Sequence, residues 1–148
     1  MDSPIGGLRL SAVDGSLTSI AFDAEPVDAG AAHAVLDEAE RQLEEYFAGE
    51  RTVFDLPLAA RGTTFQQQVW REVSRVAYGD TAGYGEIAAR LGLAPGVSRA
   101  IGAANGANPL PIVVPCHRVI GRTGSLTGYA GGLARKRFLL ELEQPGLF

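Results

Sequence analysis

The sequence has one cysteine, one lysine and two histidines among 148 residues. A single cysteine excludes an internal disulfide and fits a reducing, intracellular compartment, so a cytoplasmic location is expected. No cluster of cysteine and histidine has the spacing of a zinc site, so no metal is expected. No apolar run approaches the roughly 20 residues that span a bilayer, and no membrane partner is expected. The N-terminus lacks a basic region followed by an apolar stretch, so no signal peptide is read there. Repeats and low-complexity tracts are missing as well. The remaining class is an ordinary globular protein, large enough for one core or two small lobes.

The net charge is only −4, which by itself does not point to nucleic acid. The mean conceals an asymmetry. Residues 1–60 hold three arginines against twelve acids, whereas residues 61–148 hold ten basic residues against five acids. The second half is basic enough to track phosphates with the acidic half turned away, or the two can simply be solvated faces.

The local patterns predict a small α/β lobe over residues 1–60 and a mainly helical domain over 61–148. Leu8, Leu10 and Ala12 alternate before Asp14-Gly15, and the chain returns through Leu17 to Phe22, a hairpin signal. Residues 23–30 read as a loop. Val35, Leu36, Ala39, Leu43, Tyr46 and Phe47 recur at helical spacing over 31–48, with Gly49 as a stop. Thr52 to Leu58 reads as a third strand. After a linker at Arg61-Gly62-Thr63, a helix capped by Thr63 or Thr64 is expected to run to about Val76, with Phe65, Val69, Val73 and Val76 on one face. A short helix follows from about Tyr84 to Leu91. Gly92 stops it, Pro95 is placed to start the next, and that one runs to about Asn105. The pair fits a helix-turn-helix, though it is also consistent with a simple helix pair. Gly121 to Gly128 reads as a loop. Leu133 to Glu143 reads as a last helix, with Leu133, Leu139, Leu140 and Leu142 as its apolar side chains.

The most informative residues are Pro115-Cys116-His117-Arg118. They follow Ile112-Val113-Val114, which reads as a short buried strand presenting a thiol at its exit. A thiol near its ordinary pKa of about 8.5 is mostly protonated at neutral pH, and an adjacent base corrects that. A lone cysteine is also often just a small buried hydrophobe.

The segment Asn108 to Gly121 resembles the active-site signature of the O6-alkylguanine-DNA alkyltransferases, in their bacterial form. Leu126 to Gly132, Lys136-Arg137 and Leu139 to Glu143 continue the likeness, and Gly62 to Leu93 resembles the same family more loosely. The resemblance runs from Ser3 to Glu143 and is specific in the C-terminal half. Family members usually carry a few more residues before Ser3, so a shorter sheet edge is expected here.

The resemblance implies a small sheet-plus-helix lobe followed by a winged-helix-like domain, and direct-reversal DNA repair. An alkyl group would pass irreversibly from guanine O6, and from thymine O4, in double-stranded DNA to Cys116. Each molecule would act once, as a monomer and without a cofactor. By the same resemblance His117 takes the thiol proton through a bridging water, and Glu143 orients the histidine. Tyr84 and Lys136 would assist the departing purine. Arg99 would enter the stack from the minor groove and fill the gap left by a flipped base. Ser98, Ala100 and Gly102 would lie against the DNA on the same helix. Small residues there serve equally for packing against another helix, and Glu143 read without the resemblance is only an acid at a helix end. Asn108 would act as a hinge. Pro111, Val119, Tyr129, Ala130 and Gly131 would line the base pocket. Ala130 stands where serine is common, and Gly83 replaces a more usual Ser or Thr, so a weaker cap before Tyr84 is expected. Cys116 argues against the related lesion-binding proteins, which commonly have tryptophan there. A helix-turn-helix regulator and an unrelated thiol hydrolase are weaker alternatives.

Overall fold

The computed structural model describes residues 1–23, 34–121, 129 and 131–146. The chain divides into two compact units, Met1–Arg61 and Gly62–Phe148.

In the first unit, β1 (Leu8–Val13) and β2 (Ser16–Phe22) form the antiparallel hairpin, with Leu8 opposite Phe22 and a bulge between Ser11 and Ala12. Asp14 and Gly15 both have positive φ, 51° and 78°. That is the two-residue turn whose twist matches the strands. Helix α1 (Ala34–Phe47) packs its apolar stripe on this ribbon, and Leu8, Leu17, Ala39, Leu43 and Tyr46 are fully buried. Gly49 ends the helix at φ 76°, with its N–H donated to Tyr46 O at 3.0 Å.

The strand expected over Thr52 to Leu58 does not form; it is reduced to a single bridge between Leu17 and Leu58. Two causes are visible. Pro57 has no N–H to donate, and only its carbonyl is used, by Leu17 N at 2.8 Å. The backbone of Asp55 is claimed by a side chain instead: the Gln42 amide donates to Asp55 O and accepts from Asp55 N, each at 2.9 Å.

The second unit begins with α2 (Thr64–Val73). Thr63 caps it, and Gln66 reaches back to the Thr63 N–H, a reciprocal capping box. The helix ends three residues before Val76, although Val69, Val73 and Val76 are buried as expected and Phe65 is half-buried. Trp70 donates its indole N–H to Ala104 O at 2.8 Å, tying α2 to the helix that follows the turn. Strand β3 (Ala82–Gly83) leads directly into α3 (Tyr84–Arg90), and a 3-10 turn at Pro95–Val97 leads into α4 (Ser98–Gly106). Gly83 has no side chain to cap α3; the Glu86 carboxylate accepts its N–H at 3.3 Å and supplies half of a cap. Helices α3 and α4 form the helix-turn-helix.

The apolar run Ile112-Val113-Val114 is a turn, not a strand. Prolines at 109, 111 and 115 remove the donors a ladder requires. Val114 N instead bonds back to Leu110 O at 2.8 Å, and Ile112 adopts φ 75°. Ile112 and Val114 are buried all the same. A 3-10 turn, Cys116–Arg118, then delivers the chain into β4 (Val119–Ile120), which pairs in parallel with β3. Helix α5 (Leu133–Glu143) closes the unit. Residues 122–128 of the loop expected over Gly121 to Gly128 lie outside the described residues, as do residues 24–30 of the loop expected over 23–30 and residues 31–33 of the helix expected over 31–48. No described helix is long and apolar enough to cross a membrane.

Helix α5 departs from its expected pattern. Leu133 is 54% exposed and Leu142 only half-buried, while the inward face is Lys136, Leu139, Leu140 and Glu143. Those four positions stand on one helical face by geometry. Two of the four carry charge, so the helix brings an ion pair's worth of polar groups into the core.

Candidate active site

Three prolines and two asparagines hold the cysteine in place. Asn108 Oδ1 accepts from Leu110 N at 2.9 Å, and its Nδ2 donates to Val114 O at 2.8 Å. One side chain thus braces both ends of the turn preceding the thiol. Pro115 O accepts from Arg118 N at 2.9 Å, which closes the 3-10 turn with Cys116 at its start. Cys116 is 5% exposed. Burial pushes its thiol up to about 11, against smaller downward pulls from Asn108, the Lys136 charge and the N–H groups of Cys116 and His117. At neutral pH only about one such thiol in ten thousand would be ionised unaided.

His117 is completely buried, and its Nε2 lies 2.6 Å from Glu143 Oε2. Burial would push the Glu143 carboxyl up, but hydrogen bonds from His117 and Arg118 outweigh it and hold the group at about 2. An ionised carboxylate can only accept, so the histidine proton sits on Nε2. Nδ1 is then a bare acceptor; it is buried and bonds no group among the described residues. Burial also keeps His117 below its ordinary range, despite the opposing pull of Glu143. The ring is therefore neutral and able to take a proton.

The second oxygen of Glu143 belongs to Arg118. Its Nε donates to Oε1 at 2.7 Å and its Nη2 to Oε2 at 3.0 Å, a forked contact. Arg118 also donates to Val76 O at 2.7 Å and lies 5.7 Å from the centre of the Tyr78 ring. Lys136, fully buried, donates Nζ to Val119 O at 2.5 Å. Burial lowers its pKa to about 8, partly offset by the nearby Cys116.

The fold brings Cys116, His117, Glu143, Lys136, Val119 and Asn108 together, with buried Tyr129, Gly131 and Pro111 in the same unit. The Tyr129 hydroxyl is pushed well above its usual value by burial and by the nearby Cys116 charge. The β3–β4 pairing sets Tyr84, half-buried at the start of α3, beside the strand leaving the thiol's turn. A side chain on Gly102 would reach within 3.7 Å of the Tyr84 ring. Arg99 and Ala100 are exposed on the outer face of α4, with Ser98 half-exposed. Ala130 lies outside the described residues.

Two participants have no role assigned by the sequence. Arg118 adjoins the histidine, and a cation among so many apolar neighbours was the available signal. Asn105 sits on the inward face of α4 with Ile101 and Ala104 and donates Nδ2 to Cys116 O at 3.1 Å. A polar residue at an apolar position of the helical repeat would have pointed to it.

This arrangement has close counterparts. Residues 64–145 match the DNA-binding domain of 6-O-methylguanine DNA methyltransferase, and residues 1–60 match the ribonuclease-like domain of the same proteins. A methylated-DNA–protein-cysteine methyltransferase of Mycobacterium tuberculosis is 50% identical over 97% of this chain and 90% of its own length. One from Methanosarcina barkeri is 44% identical over 99% of this chain and 96% of its own. The crystal structure of Mycobacterium tuberculosis OGT in complex with DNA superposes with a TM-score of 0.87 at 50% identity, covering 97% of this chain and 90% of that one. With both halves of the chain matched in sequence and the whole of it in fold, the protein belongs to the 6-O-methylguanine DNA methyltransferase family.

Proposed function

We propose that this protein reverses alkylation damage in DNA by moving the alkyl group of O6-alkylguanine, and of O4-alkylthymine, onto Cys116. The observation that carries this reading is the buried constellation behind the thiol: a neutral histidine with a bare Nδ1, backed by a carboxylate that hydrogen bonds from that histidine and from a buried arginine keep ionised. A thiol whose pKa is about 11 needs such a base. His117 Nδ1 takes the Cys116 proton through a bridging water. Glu143 stabilises the imidazolium that forms, as the third member of a triad does. The thiolate attacks the alkyl carbon in line, an S–C bond forms, and the C–O bond breaks with its electrons passing to the purine. Tyr84 donates toward that purine, and the charge of Lys136 favours its departure. The thioether offers water no good leaving group, so each molecule reacts once and needs no cofactor.

The stacked base must leave the duplex before the thiol can reach it, at a cost of a few kcal/mol. Arg99, exposed on α4, fills the gap from the minor groove. Ser98, Ala100 and Gly102 keep that helix smooth enough to lie against the DNA backbone. The flipped base rests among Pro111, Val119, Tyr129, Ala130 and Gly131. In this division of labour residues 61–148 carry DNA binding and chemistry and residues 1–60 carry neither. The protein acts as a monomer in the cytoplasm.

The test is to incubate the protein with a duplex containing one O6-methylguanine and weigh the intact protein and its peptides. One methyl group should appear on the peptide containing Cys116, and none in Cys116→Ala. Tight lesion binding without a mass change would replace transfer by sensing.

A further inference from the structure

Asn105 is 1% exposed and is tied to the thiol's own backbone. Its Nδ2 donates to the carbonyl of Cys116 at 3.1 Å. Its Oδ1 is buried and bonds no group among the described residues. An acceptor buried in that way destabilises a fold. The neighbouring inward positions of α4 are Ile101 and Ala104, and a leucine at 105 would suit them without the unmet oxygen. What the asparagine contributes is therefore a single bond to a single atom.

That atom sits at a sensitive place. The Cys116 carbonyl also accepts from Val119 N at the end of the 3-10 turn. Two donors on one carbonyl fix the plane of the peptide joining Cys116 to His117. The opposite edge of that plane is the His117 N–H, one of the donors that favour the thiolate. A tilt of the plane would turn that N–H away from the sulfur.

We propose that Asn105 is a positioning residue for the transfer, holding from α4 the Cys116–His117 peptide so that its N–H faces the developing thiolate. The inference rests on the reading of Cys116 as the alkyl acceptor. It leaves untouched the other groups around the thiol: Lys136 and Glu143 on α5, His117 and Arg118 in its own turn, and Tyr129.

Asn105→Leu and Asn105→Ala test it in the full chain. The measurements are melting temperature, affinity for an unmodified duplex, and single-turnover methyl transfer across pH. Asn105→Leu should melt no lower than the parent and bind the duplex within about twofold. It should transfer about tenfold more slowly or worse, with the rising limb of its pH profile moved up by about half a unit or more. Alkylation of Cys116 by iodoacetamide should show the same upward shift. That reading holds even if the parent transfers no methyl group, in which case the proposed function fails and this inference is judged on the thiol alone. Transfer within about twofold of the parent with an unmoved pH profile overturns the inference. So does slower transfer with an unmoved profile and weaker DNA binding, which would assign Asn105 to DNA seating. Loss of the fold in both variants makes the residue structural and overturns it too.

Discussion

Replacing Glu143 by leucine should damage the protein twice, and the two damages should come apart. The carboxylate accepts from His117 at 2.6 Å and from Arg118 at 2.7 and 3.0 Å. Removing it leaves Arg118, a residue only 6% exposed, as a buried cation without its counter-charge. Breaking one side of such a pair costs about 3–5 kcal/mol. At about 2–4 °C per kcal/mol for a chain of this size, the melting temperature should fall by about 6–20 °C. Removing both partners is different, because apolar replacements of similar volume satisfy a buried site about as well as an ion pair does. The double variant Arg118→Met/Glu143→Leu should therefore recover at least about 2 kcal/mol of the loss, a coupling typical of contacting residues. Neither variant should transfer a methyl group at an appreciable rate, since His117 has lost its orienting carboxylate in both. Thermal melts of the parent, both singles and the double, beside a transfer assay, decide the matter. A double variant no more stable than Glu143→Leu would refute the reasoning, because the cost would then lie in lost packing and not in a stranded charge.

The remaining expectations concern charge and exposure. Glu143 is held at about 2, below its ordinary 4.5. Acid therefore favours the unfolded chain: the group's contribution of about 3 kcal/mol is complete above about pH 5 and is lost as pH falls toward 2. Urea melts at descending pH should show that slope in the parent and a flatter one in Glu143→Leu. Lys136 is buried with a pKa near 8, so Lys136→Met should raise the melting temperature at pH 7 while slowing transfer; a variant that is both less stable and fully active would contradict this. Arg99→Ala should leave stability within about 0.5 kcal/mol, as for an exposed residue. It should slow repair of a duplex lesion about tenfold or more, yet leave reaction with a free O6-alkylguanine base unchanged.

How much of this was legible beforehand varied with the kind of interaction. The hairpin at Asp14-Gly15, the capped α2 and the α3–α4 pair follow from local chemistry, and local chemistry is written in consecutive residues. The strand at Thr52 to Leu58 failed because a distant side chain, Gln42, took the backbone bonds a neighbouring strand would have made. The apolar run before Pro115 is buried, as its hydrophobicity implies, but not extended, since hydrophobicity reports burial while the prolines decide shape. On α5 the leucine spacing alone points to Leu133, Leu139, Leu140 and Leu142, of which only Leu139 and Leu140 are buried; the charged half of the inward stripe, Lys136 and Glu143, is marked by the resemblance and not by the spacing. The resemblance supplied Cys116, His117 and Glu143 together. Arg118 and Asn105 became visible only through contacts that span 25 and 11 residues of chain.

The buried, protonated thiol also bears on how long an unused molecule stays usable. On the proposed reading each molecule reacts once and cannot recover from a spoiled sulfur, and peroxide and disulfide exchange both act on exposed thiolates. At 5% exposure and a pKa near 11, Cys116 offers them almost none. The same burial that makes the nucleophile depend on His117 keeps it in reserve, chemically quiet through the long interval before a lesion arrives.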